Sequence, residues 1–149
     1  MASISRASTR CQKLLQEINK HAEKNNRVID CLLQIYIADE ETKFGLGFDE
    51  AIELLRSDEY ATLKNVRVRG LMGIATNTDI EKQIKEEYYE LKTFFDGIKL
   101  SFFRKEASFD TLSMGMSGDY KLAIEQGSNM IRVGSTIFGS RVIKHWKNN

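Results

Sequence analysis

The chain has 149 residues, which gives room for one domain and little more. Hydrophobic residues make up 42% and charged residues 29%, with a formal net charge of +1. That is the composition of a soluble globular protein, with no electrostatic footprint for nucleic acid or an anionic membrane. No apolar run approaches the ~18 residues that cross a bilayer, and the basic, Ser-rich start MASISRASTR lacks the apolar core of a secretory signal.

Residues 1–10 show no periodicity and are expected to be a disordered or atypical N-terminus, with one domain over 11–149. From Cys11 to about Glu23, Leu14, Leu15, Ile18 and Ala22 fall at helical spacing. VIDCLLQIYI (28–37) is a nearly continuous β-branched and aliphatic run, as in a strand covered on both faces. ADEETKFGLG (38–47) is a polar loop, and Phe48, Ala51, Ile52 and Leu55 mark a second helix. VRVRGLMGIA (66–75) predicts a strand. Thr78 and Glu81 then form a capping-box pattern before a helix striped by Ile80, Ile84, Tyr88, Leu91 and Phe95. TLSMGM (111–116) predicts a short strand, Ser117 the N-cap of a helix, and Gly127 its stop. NMIRVGS (129–135) predicts a last strand, followed by an amphipathic tail with Val142, Ile143 and Trp146. Strands alternating with helices predict a parallel α/β fold with four strands.

The two cysteines, Cys11 and Cys31, lack CxxC spacing and are expected to be reduced thiols in a cytoplasmic protein. His21 and His145 lack ligand spacing, so no metal site is expected. The chain has no proline, against an average of roughly 5%; this has no functional reading.

Chemistry concentrates near the C-terminus. In MGMSGD (114–119) a strand ends, a glycine lets a backbone approach closely, and Ser117 is placed to open a helix whose free N–H groups favour an anion. Alone this is what any capped helix requires. In IRVGSTIFG (131–139) a second strand ends in Gly134, Ser135 and Thr136. Two adjacent strand ends of this composition match the phosphate site of (β/α)₈ barrels, built from the loops after strands seven and eight. Arg132 lies two residues before Gly134, and a buried arginine needs either an electron-rich ligand group or a carboxylate partner. Asp39, Glu40 and Glu41 are expected to be a solvated loop, Lys43 a surface lysine, and Phe94–Phe95 core.

LSMGMSGD (112–119) and IRVGSTIFG (131–139) closely resemble the paired motifs of the pyridoxal phosphate homeostasis proteins, also called the YggS or proline-synthase co-transcribed family. VRVRGLMGIA (66–75) and LLQIYIADEETKFG (32–45) resemble that family's upstream strands, so the likeness covers about residues 12–141. It implies a (β/α) barrel of the TIM type, related to the N-terminal domain of alanine racemase. It also implies a protein that binds pyridoxal 5′-phosphate without turnover of its own. Under this resemblance Ser117, with backbone of Ser113 and Met114, would meet the phosphate. Gly134 and Ser135 would add donors, Arg132 would sit near the pyridine ring, and Met72 would line the cavity.

The family's Schiff-base lysine lies on the first barrel strand, in a segment that nothing here matches. Lys13, Lys20, Lys43 and Lys64 belong to other elements, and Tyr36 stands where the family usually has Asn or His. The matched part corresponds to strands five to eight. Such a barrel needs roughly 250 residues, so a half-barrel is expected. It would expose the apolar inner face of its strands and two edges, and would dimerise, meet a complementing half or remain poorly stable. Two other readings remain: a non-binding fragment or partner of a full-length relative, and a racemase-like enzyme, for which a lysine and a second acid–base group are lacking.

Overall fold

A computed structural model describes residues 2–4, 8–40 and 45–139. The elements run β1 (Ala2–Ile4), α1 (Ser8–Lys24), β2 (Ile29–Ile35), α2 (Phe48–Arg56), α3 (Asp58–Ala61), β3 (Val66–Gly73), α4 (Glu81–Phe102), β4 (Thr111–Met116), α5 (Tyr120–Glu125), β5 (Met130–Arg132) and α6 (Ser135–Phe138). The five strands form one sheet in sequence order, and every neighbouring pair is parallel. Parallel crossovers are right-handed, so strands laid down in sequence order collect their helices on one face. That is the wall of a (β/α) barrel rather than a doubly wound sheet.

The core lies between that face and the helices. Cys31, Leu33 and Ile35 of β2, Val66, Val68 and Leu71 of β3, and Leu112 and Met114 of β4 are buried with Cys11 and Leu15 of α1, Ala51, Leu54 and Leu55 of α2, Tyr88, Leu91 and Phe95 of α4 and Ala123 of α5. Phe109 stacks between Phe95 and Phe103, with centroids 5.0 and 4.2 Å away. Phe94 packs on Phe48 at 4.5 Å, so both members of the Phe94–Phe95 pair serve packing, as expected.

Several expectations change. A fifth strand, β1, lies within the first ten residues, where no element was expected; it pairs Ala2–Ile4 with Cys31–Leu33. The Thr78–Glu81 capping box does not form, because the Thr78 hydroxyl accepts the Ile80 N–H in a local turn and the helix starts only at Glu81. Ile80 therefore stays outside the stripe, 60% exposed. The inner strand face is not bare at the middle of the sheet: Leu32, Met72 and Ser113 are all buried. A bulge at Arg69, where β2 passes from Cys31 to Leu32, adds bend and twist at that level. Among the exposed apolar side chains, Met116, Met130, Ile137 and Phe138 belong to the end of β4, to β5 and to α6, while others such as Val28, Ile80 and Leu100 lie elsewhere. Val142, Ile143, His145 and Trp146 lie outside the described residues.

Candidate functional site

Strand alternation puts every second residue on the face away from the helices, and the register stacks these residues in rows. At the N-terminal end, Arg67 Nε lies 2.7 Å from Asp30 Oδ1. Arg69 bridges Asp30 at 3.3 Å and Asp110 at 3.1 Å. The Arg67 hydrogen bond holds the Asp30 carboxyl below its ordinary range, and the Thr111 hydroxyl with Arg69 does the same for Asp110. The next row is Leu32, Gly70 and Thr111. A Cβ at position 70 would fall 1.6 Å from the Thr111 carbonyl oxygen, so only glycine fits there. Above it, Gln34, Met72, Ser113 and Met130 are mutual register partners across four strands. This row floors the C-terminal end, where barrel sites are built.

The rim follows from the β4–α5 turn. Gly115 has φ +102°, a conformation that favours glycine, and a Cβ there would meet Ala123 Cβ at 2.8 Å. Asp119 Oδ1 accepts the Met116 N–H at 2.8 Å and closes the turn, so the chain becomes helical only at Tyr120. Asp119, not Ser117, therefore holds the N-cap position, and α5 is a helix of only 6 residues. Released from capping, the Ser117 hydroxyl accepts the Thr136 N–H at 3.3 Å and joins the two strand ends that the sequence paired. Gly134 has open space where a Cβ would project. A cleft of about 690 Å³ beside this junction is bounded by Thr78, Lys85, Ser117, Lys121 and Thr136. Met72, Ser113 and Arg132 are not on its wall.

Arg132 ends β5 and crosses to β3, where its Nη2 donates to the Gly73 carbonyl at 3.0 Å. Among the described residues no carboxylate pairs with it, and its buried Nε–H has no partner. Burial pulls the guanidinium pKa down, while Tyr88 and Asp119 nearby oppose that shift. An orphaned N–H at the inner end of a strand suits an electron-rich ligand group better than a structural ion pair.

Met114 offers the rim nothing. Its side chain is in the helix-side core, and Ser128 Oγ occupies both its N–H and its carbonyl at 3.3 and 2.6 Å. Ser113 sits beside Met72 on the buried floor, below the Ser117 turn. The acidic loop is stapled to the loop after β3: Asp39 N–H donates to Thr76 Oγ1 at 2.7 Å, and Glu40 Oε1 accepts Asn77 N–H at 2.9 Å. Buried Glu87 anchors that loop through the Thr76 N–H and hydroxyl at 2.7 and 2.8 Å. Glu41 and Lys43 fall outside the described residues. No described strand contains a lysine; Lys13, Lys20 and Lys64 are exposed on α1 and in the approach to β3. Gln34, Tyr88 and Asp119 were not expected at the site. The polar Gln34 inside an apolar strand was the available signal.

The family described as alanine racemase, N-terminal domain, matches residues 7–142. The pyridoxal phosphate homeostasis protein of Helicobacter pylori is 39% identical over 126 residues, which are 85% of this chain and 53% of that protein. The protein of the same name from Pasteurella multocida is 32% identical over 130 residues, 87% of this chain and 54% of its own length. PipY of Synechococcus elongatus, solved with PLP bound, superposes with a TM-score of 0.72 at 26% identity, over 85% of this chain and 57% of PipY. The chain thus spans about half the length of the curated relatives it matches. Sequential parallel strands, a layered inner face and this extent of similarity agree: the chain belongs to the alanine racemase N-terminal domain family and, within it, resembles the pyridoxal phosphate homeostasis proteins.

Proposed function

We propose that the chain is a non-catalytic binder of pyridoxal 5′-phosphate that holds the cofactor by its phosphate end, with no covalent lysine among its described strands. The observation that carries this reading is the Arg132 Nε–H, buried and without a partner among the described residues, four positions before Thr136 of the Ser117–Thr136 junction. In this reading the Ser117 hydroxyl and the unhindered N–H groups at Gly134 and Ser135 receive phosphate oxygens. Arg132 faces the ring, and Met72 with Ser113 lines the floor. When bound, the cofactor supplies an electron-withdrawing ring and an aldehyde; this chain's residues bind it, orient it and keep water from the floor. The names of the relatives and the PLP held by PipY support the choice of ligand.

Thermal unfolding tests the proposal. A ligand that binds only the folded state adds about 2.7 kcal/mol of stability at a hundredfold excess over its Kd. Pyridoxal 5′-phosphate should raise the midpoint of the wild-type protein, and Ser117→Ala should remove much of the rise. No rise at millimolar cofactor sinks the reading and leaves a non-binding protein.

The β5 edge favours a compatible second proposal. Met130 is 38%, Ile137 65% and Phe138 86% exposed beside the last described strand of the sheet. Such an edge invites pairing, so we infer association with a second copy or a complementing half-barrel.

A further inference from the structure

The Met116–Asp119 turn presents Ser117, and its shape is fixed from two directions. Along the chain, Asp119 Oδ1 accepts the Met116 N–H at 2.8 Å, and the Asp119 N–H donates back to the Met116 carbonyl at 3.1 Å. Across the fold, the other carboxylate oxygen, Oδ2, accepts the Tyr88 hydroxyl at 2.9 Å. Tyr88 is fully buried on the inner side of α4. One buried phenol therefore ties α4 to the turn after β4 across 31 positions of sequence. A carboxylate that only closed its own turn would not need the second bond, since an Asx-type turn is complete with one oxygen.

We propose that Asp119 and Tyr88 are positioning residues for phosphate binding. Asp119 sets the turn that presents the Ser117 hydroxyl, and Tyr88 locks that turn to α4. The inference rests on the proposed cofactor reading and deepens it, because neither residue touches the ligand.

The test compares wild type, Tyr88→Phe and Asp119→Asn by titration with pyridoxal 5′-phosphate and with inorganic phosphate, alongside thermal midpoints. Losing one hydrogen bond to a charged group corresponds to about a tenfold change in an equilibrium. Tyr88→Phe should therefore weaken both ligands about tenfold in protein that is still fully folded. Asp119→Asn keeps an acceptor for the Met116 N–H but puts an amide N–H where Oδ2 accepts the Tyr88 hydroxyl, so it should weaken both ligands at least as much as Tyr88→Phe. A purely structural role would lower the midpoint and leave the affinities of the folded protein unchanged, and that result overturns the inference alone. Wild-type protein that takes up neither ligand overturns the cofactor reading and the inference with it.

Discussion

Arg132 is the residue on which most depends, because its environment is poor for a charge that serves only the fold. Burial disfavours its guanidinium, and among the described residues its Nε–H is unpaired and its only acceptor is the Gly73 carbonyl. Replacing a poorly compensated buried charge with an apolar side chain of similar length is often neutral or stabilising. Arg132→Met should therefore change unfolding stability by no more than about 1 kcal/mol. It should weaken pyridoxal 5′-phosphate by roughly tenfold to a hundredfold, the value of a charge-assisted hydrogen bond. A large loss of stability in a chemical unfolding curve, with affinity intact, would make Arg132 a structural residue. The sequence could single out Arg132, Ser117 and Gly134 because glycines and hydroxyls at strand ends are local features. It could not reveal Tyr88 as more than core, because the Tyr88–Asp119 bond spans 31 positions. Nor could it tell that Met114 is spent on Ser128, since that depends on the irregular β4–β5 pairing.

At the scale of elements, the strands with long apolar runs were legible and the short ones were not. β2 and β3 carry 7 and 8 residues, enough for a pattern. β1, with 3 residues, and α3, with 4, are too short to show any periodicity and exist through tertiary contact. The helix starts moved for one reason: Thr78 and Asp119 spend their side chains on local turns rather than on helix N–H groups. The same strands predict a response to acid. The arginine and threonine hydrogen bonds hold the Asp30 and Asp110 carboxyls below the ordinary aspartate range, so their contribution is complete above that range and is lost as pH falls through their lowered folded values. Urea midpoints should therefore drop below about pH 4, and the drop should be shallower in the Asp30→Asn, Asp110→Asn double variant. Identical slopes for the two proteins would show that the pairs of Asp30 and Asp110 with Arg67 and Arg69 contribute nothing. Both arginines are close to the surface, which keeps the expected effect small.

At the scale of the molecule, the sheet is one continuous parallel wall with a covered middle and an apolar rim at β5. The expected half-barrel architecture holds as a wall of sequential strands, while the expected bare inner face does not, since Leu32, Met72 and Ser113 are all buried. What sequence could not convey is that the inner face would be covered, because burial of an alternating strand face depends on sheet curvature and not on pattern. If the β5 edge mediates association, light scattering should give a mass above that of one 17.1 kDa chain, and Phe138→Glu should return it to the monomer value. A monomeric wild-type protein with a cooperative unfolding transition would remove that proposal. The thiols offer no competing explanation for association: Cys11 and Cys31 are both fully buried, and burial pushes their pKa values up to about 12 and about 11.

The central claim is recognition of the cofactor by its phosphate end without a covalent lysine. Calorimetric titration with pyridoxal 5′-phosphate and with pyridoxal, followed by borohydride treatment and peptide mass mapping, tests it most directly. The account predicts measurable binding of the phosphorylated form, at least tenfold weaker binding of pyridoxal, and no modified lysine. Equal affinity for the two forms, or a lysine carrying the reduced cofactor, would contradict it.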